Sequence, residues 1–204
     1  MGCDIHMFTE IKRKFNDKEV WVNSDRWVVN PYYLLKDEGD DDEWEKPMDV
    51  DSIYNGRNYE LFATLANVRG IGNPVISEPR GLPEDVCTIT KAESDRWGRD
   101  GHSHSYFTLA ELVDYVKDNS NMTREGFLTD EDAKELDENG VKPDDWSWGP
   151  HGDFTNFRTW NEESIIQPII DSIKKLYQKE TYIWPEKQTR EDEEKIRIVF
   201  WFDN

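Results

Sequence analysis

Polar and apolar positions alternate from the start of the chain. Between Cys3 and Lys12, one side carries Cys3, Ile5, Met7, Thr9 and Ile11; the other carries Asp4, His6, Phe8, Glu10 and Lys12. A period of two predicts a β-strand. Asn16-Asp17 marks a turn, and Glu19–Asn23 and Arg26–Val29 read as partner strands, so an antiparallel meander is expected. The period changes over Tyr59–Val68, where Leu61, Leu65 and Val68 share a helical face behind a capping Asn58. Gly70–Pro83 reads as loop, and Pro83 is expected to open a second helix that runs towards Trp97 and stops at Gly98. Thr108 and Glu111 make a capping-box pattern ahead of Leu109, Leu112, Val113 and Val116. Thr129–Asp132 starts another short helix, ended near Gly140, and Trp146–Phe157 reads as an ordered loop. Glu162–Lys179 carries the longest helical face; Pro168 interrupts it, so this helix begins late or kinks. Ile196–Phe202 is apolar and β-branched throughout, which predicts a buried central strand. Strands at both ends suggest that the termini pair. The expected fold is therefore α+β: one domain over residues 1–204, with an antiparallel or mixed sheet that includes both terminal strands and several helices packed on it.

Composition narrows the function classes. A chain of 204 residues suits one domain and can bury a core without staples. The net charge of −19 argues against binding by broad phosphate neutralisation, so no direct nucleic-acid binding is expected, although a small anion pocket inside an acidic shell is allowed. Part of the charge is concentrated at 37–51, around Asp40-Asp41-Asp42-Glu43, which is expected to be a solvated acidic loop. An aromatic fraction of 13% excludes global disorder. Cys3 and Cys87 cannot form a disulfide framework or a Cys-rich zinc site and read as free thiols of a reducing compartment. No apolar run has membrane-spanning length, and the first residues lack the basic and apolar parts of a secretion signal. A cytoplasmic location without a membrane partner is expected.

Three groups of residues could carry chemistry. His6 lies in Asp4-x-His6, and His102 and His104 lie in Gly101-His-Ser-His-Ser105. Such spacings put two side chains on one strand face or turn, so Asp4, His6, His102 and His104 are candidate ligands of a divalent metal. His6 and His102 are the candidate catalytic residues, because imidazole titrates near neutral pH. The competing reading is a polar hydrogen-bond network. Second, Arg57, Arg69 and Arg80 stand out in an acidic chain, and a guanidinium matches phosphate or carboxylate. Arg57-Asn58-Tyr59 sits at a helix start, a place that favours anions. Tyr59, Trp97 and Tyr106 could stack a base. The competing reading gives Arg57 and Arg80 acidic partners that fix loops. Third, Trp97–Ser105 gathers Gly, Ser, His and Asp ahead of a helix, adding His102, Ser103 and Ser105 to the candidate ligand-binding set. A Gly-x-Ser-x-Gly elbow, a Walker loop and a Gly-x-Gly-x-x-Gly motif are all absent.

Several blocks resemble a family of uncharacterised phage and bacterial proteins. They are Met1-Gly-Cys-Asp-Ile-His6, Arg57-Asn-Tyr-Glu-Leu-Phe-Ala-Thr-Leu-Ala-Asn-Val-Arg69, Ser77-Glu-Pro-Arg-Gly-Leu-Pro83, Trp97–Ser105 with Thr108–Leu112, and Val199–Asn204. The chain departs from some relatives in its acidic stretch after residue 36, which has no cysteine pair, so structural zinc is not implied. The resemblance implies a phage context and no settled activity. By analogy with that context, the leading expectation is an accessory protein that sequesters a small anionic, nucleotide-derived ligand, a host immune signal, in the host cytoplasm. That reading requires no cofactor. The alternative is a metal- or histidine-dependent phosphodiesterase or related hydrolase of such a ligand. A third reading is an acidic interaction protein or nucleic-acid mimic. Each leaves an oligomer open.

Overall fold

The alternating N-terminal segment forms β1 (Asp4–Phe15), followed across the Asn16-Asp17 turn by β2 (Lys18–Asn23). Both turn residues adopt positive φ, which Asn and Asp tolerate better than most residues. The computed structural model describes residues 2–33, 46–70, 75–119 and 123–203. Its chain divides into two compact units, Met1–Tyr115 with Pro168–Asn204, and Val116–Gln167.

The first unit is built on a four-stranded antiparallel sheet in the order β2-β1-β8-β5, where β5 is His102–Thr108 and β8 is Ile196–Asp203. The expected α+β class and the pairing of the two terminal strands are both present. Asp4 lies opposite Asp203 and Ile11 opposite Ile196. The apolar run of β8 is buried because the strand sits between β1 and β5. Side chains alternate across the sheet. One face carries Ile5, Met7, Ile198, Phe200 and Phe202, and Phe62 of α1 (Tyr59–Ala66) meets Phe202 edge-on with centroids 5.0 Å apart. Asn58 caps α1 through its side chain, as its position predicts.

The opposite face is more polar, and α2 (Thr88–Trp97) lies against it. Its buried centre is an ion pair. Arg197 places Nε 2.9 Å and Nη2 2.7 Å from Glu10 Oε2, and donates Nη1 to Asp85 Oδ1 at 2.7 Å. Trp21 stacks on the guanidinium at 4.0 Å and donates Nε1 to Asp85 Oδ2. Glu10 also accepts the Cys87 backbone N–H. This network explains where α2 begins. Pro83 was expected to open it, but 83–87 is tied down to the sheet through Asp85 and Cys87, and the helix starts only at Thr88.

Other expectations are corrected. β3 (Arg26–Val29) does not extend the meander; it pairs with β4 (Met48–Asp51) in a separate two-stranded sheet. β4 occupies the end of the segment expected to be an acidic loop, while its core at 37–45 lies outside the described residues. The His-Ser-His-Ser segment, whose spacing allowed a strand face or a turn, is the start of β5, with a register irregularity between His102 and Ser105. Thr108 and Glu111 form the expected reciprocal cap of α3 (Leu109–Asp118).

In the second unit, β6 (Thr123–Leu128) pairs with β7 (Asn156–Asn161) around α4 (Asp130–Asn139). Leu128, Ala133 and Trp160 form its core, with Leu136 and Trp146 packed against them. A Cβ on Gly126 would meet Trp146 at 2.6 Å, so glycine lets the indole lie on the strand. The 146–157 stretch expected as loop contributes a bridge from Ser147 to Phe127 and the start of β7. In the remainder of the first unit, α5 (Gln167–Thr181) begins late, with Pro168 in its first turn, and α6 is the short Arg190–Glu193. Among the described residues no helix is long and apolar enough to cross a membrane.

Candidate functional site

The polar face of the sheet ends in a cavity of about 450 Å³ within the first unit. Antiparallel pairing of the termini makes its floor: Asp4, His6 and Asp203 are neighbours because β1 and β8 run in register. Helix α2 supplies one wall with Glu93, Arg96 and Trp97, which recur at helical spacing. Lys46 and Asp49 close the other side.

His6 is held on three sides. Its Nε2 lies 3.3 Å from Asp203 Oδ2. Its ring lies 4.1 Å from the Trp97 ring and 5.7 Å from Trp201, centroid to centroid. Asp203 is fixed in turn, because Oδ1 accepts the Asp4 backbone N–H at 3.0 Å. Burial pushes the His6 pKa down, against the opposing pull of Asp203 and Asp4, so the imidazole is mainly neutral at pH 7. Asp4 is clamped by Arg57, which donates Nε to Oδ1 at 2.8 Å and Nη2 to Oδ2 at 2.6 Å. That fork holds the Asp4 carboxyl below its usual range. Gly2 matters here: a Cβ would come within 2.6 Å of the Arg57 guanidinium.

Lys46 contacts the Glu93 carboxylate, which favours its ammonium form. Burial and the neighbouring Arg96 oppose that and bring its pKa down to about 8. The cavity is therefore mixed in charge. Lys46 and Arg96 face Asp4, Asp49, Glu93 and Asp203; Arg57 pairs Asp4, Lys46 itself pairs Glu93, and Asp203 contacts the His6 ring.

The structure brings some sequence candidates together and separates others. Asp4, His6 and Trp97 meet at the cavity, with Arg57 behind Asp4. Asn58 is occupied as the α1 cap. Tyr59 is half-exposed at the helix start, with the Arg69 guanidinium 5.9 Å from its ring. Arg69 also hydrogen-bonds Cys3, whose thiol pKa is nonetheless raised by burial. Arg80 belongs to a different cluster: it donates Nη1 to Glu111 at 2.7 Å, lies over Phe107 and bonds the Tyr106 carbonyl. Ser105 is buried there and accepts the Arg80 backbone N–H. Arg57 and Arg80 thus hold carboxylates.

The histidines are divided as well. His104 stacks on Trp201 at 5.7 Å and its Nε2 is 2.9 Å from Ser94 Oγ. Burial lowers its pKa. His102 instead lies 6.1 Å from Phe202, which alternates to the other face of β8, and its Nδ1 is 3.0 Å from Ser103 Oγ. Among the described residues, no three His, Cys, Asp or Glu side chains group as a metal ion would require, and Asp4, His6, His102 and His104 do not form one group.

Sequence reasoning missed Asp203, Lys46, Glu93 and Arg96. Two signals could have found them. Terminal strand pairing in register places Asp203 opposite Asp4, and drawing α2 as a wheel puts Glu93 and Arg96 beside Trp97. Lys46 has no such signal, because it follows the acidic stretch. Compared with protein-family models, with curated proteins and with solved structures, the chain matches none.

Proposed function

We propose that the protein binds and retains a small nucleotide-derived ligand in this cavity, and that the ligand carries few negative charges. One observation carries the reading: an indole, Trp97, and two cations, Lys46 and Arg96, line the same half-open cavity as a set of carboxylates. An indole face suits a base. Carboxylates accept from exocyclic amino and ring N–H donors, and Lys46 and Arg96 suit a phosphate. A volume of about 450 Å³ falls in the range of small-molecule sites. The four lining carboxylates disfavour a triphosphate and favour a monoanionic phosphodiester, such as each linkage of a cyclic nucleotide. Retention of a host signal is the role that the phage-type resemblance adds to this chemistry.

The test is a titration of tryptophan fluorescence against cyclic dinucleotides, cyclic mononucleotides and nucleoside triphosphates, followed by ultrafiltration. Saturable binding of a cyclic phosphodiester supports the reading. Arg96→Ala should weaken it by about 10- to 100-fold, the worth of one charge-assisted hydrogen bond. Arg80→Ala, in the Glu111 cluster, should leave it within about twofold. No binding across the panel, or equal loss in both variants, overturns the assignment.

A further inference from the structure

We propose that the same cavity hydrolyses the phosphodiester it binds, with His6 as general base and Lys46 as general acid. The inference rests on the binding reading and adds a reaction to it. The arrangement is that of an oriented base. His6 packs against two indoles with its Nε2 on Asp203, and Asp203 is itself fixed by the Asp4 N–H. A neutral imidazole held by a carboxylate at the floor of a cavity is arranged to accept a proton. Lys46 lies in the same cavity, close enough for its charge to disfavour protonation of His6. Arg96 lies beside it.

The step balances without a further reactant. Water attacks phosphorus and gives a proton to His6. The P–O bond to one ester oxygen breaks, and that oxygen takes a proton from the Lys46 ammonium. His6 and Lys46 then return to their starting states by exchange with solvent. Lys46 and Arg96 offset the charge that develops on the phosphoryl oxygens. Asp203 is a positioning residue, since it acts through His6.

The pH profile separates this role from a structural one. Of the charged groups that share the cavity with His6, Asp203 and Asp4 raise its pKa and Lys46 lowers it, while Glu93 and Arg96 of α2 and Asp49 of β4 also line the space. The two indoles are uncharged. Activity should therefore rise with pH as His6 loses its proton and fall near pH 8 as Lys46 loses its own. Asp203→Asn removes a charge that raises the His6 pKa, so the acidic limb should move to lower pH.

The experiment incubates the purified protein with a cyclic dinucleotide and with bis(para-nitrophenyl) phosphate and separates the products by chromatography. Binding is read in parallel by tryptophan fluorescence. Turnover is expected in the wild type. His6→Gln should lose about 100-fold in rate on both substrates while retaining binding. Lys46→Ala should lose rate on both substrates, because a phosphate-facing cation is gone, and should lose at least about tenfold more on the nucleotide than on the para-nitrophenyl ester, whose leaving group needs no acid. Ligand bound and returned unchanged overturns hydrolysis and leaves retention standing. Absence of binding overturns both readings. Turnover that survives in a folded His6→Gln, or an acidic limb unmoved in Asp203→Asn, overturns the assigned roles.

Discussion

Asp25 shows how one half-buried carboxyl sets a pH dependence. Its two oxygens accept the Thr9 backbone N–H at 3.0 and 2.9 Å, and Oδ2 also accepts from Asn23 Nδ2 at 2.7 Å. Desolvation outweighs these bonds, and with the charge of Glu10 nearby the pKa rises to about 6. In the unfolded chain an Asp titrates near 4. The folded state therefore binds more protons between pH 4 and 6, and stability contributed by the protonated acid is lost as pH rises through that window. A shift of about two units corresponds to roughly 3 kcal/mol. Asp25→Asn should remove this slope, so that the variant gains on the wild type by about 2–3 kcal/mol between pH 4 and pH 7. Urea unfolding at both pH values checks it. A difference that stays constant with pH would show that Asp25 titrates normally.

At the scale of elements, the Glu10–Arg197 pair joins β1 to β8 and, through Asp85 and Cys87, both strands to the segment before α2. Arg197 is 3% exposed and Glu10 is fully buried. Removing one partner of such a pair strands the other charge, at about 3–5 kcal/mol. Arg197→Met should carry that cost, and Arg197→Met with Glu10→Gln should recover most of it, because Gln still accepts the Cys87 N–H. A thermodynamic cycle from denaturant curves measures the coupling; additive losses would mean that the two groups do not depend on each other. The same network marks the boundary of what the sequence could disclose. β1, β8, the α1 cap and the Thr108 box were legible because each follows a local rule: period two, an apolar run, Asn before a helix, Thr followed by Glu. The start of α2 was not, because Asp85 is claimed by Arg197, which is 112 residues away. β5 was not, because Gly101-His-Ser-His-Ser105 is rich in residues that favour turns, and pairing with β8 overrides that preference. The site was half-legible for the same reason. Asp4, His6 and Trp97 stood out locally, whereas Asp203 and Lys46 acquire meaning only when distant segments meet.

For the whole molecule, the decisive quantity is the net charge of −19. A field of that size repels every anion that approaches, and it is screened over about 10 Å at 0.1 M salt. Among the described residues that line the candidate site, Lys46 and Arg96 are the cations that oppose it locally. Two consequences follow for ligands with a common base. A polyanion such as a nucleoside triphosphate meets a repulsion that grows with its charge, so its affinity should be weak at low salt and improve as salt rises. A cyclic mononucleotide, with a single charge near Lys46 and Arg96, meets long-range repulsion and short-range attraction that partly cancel, so its affinity should change by less than about threefold between 20 and 300 mM salt. This behaviour is opposite to that of a basic nucleic-acid binder, whose affinity falls steeply with salt. It also differs from that of an acidic mimic docked on a basic partner, which salt would release. Titrations of both nucleotides at the two salt concentrations test the argument. If the triphosphate bound tightly at low salt and was released at high salt, a basic site would have to exist that the cavity does not provide, and the ligand class assigned to it would have to be abandoned.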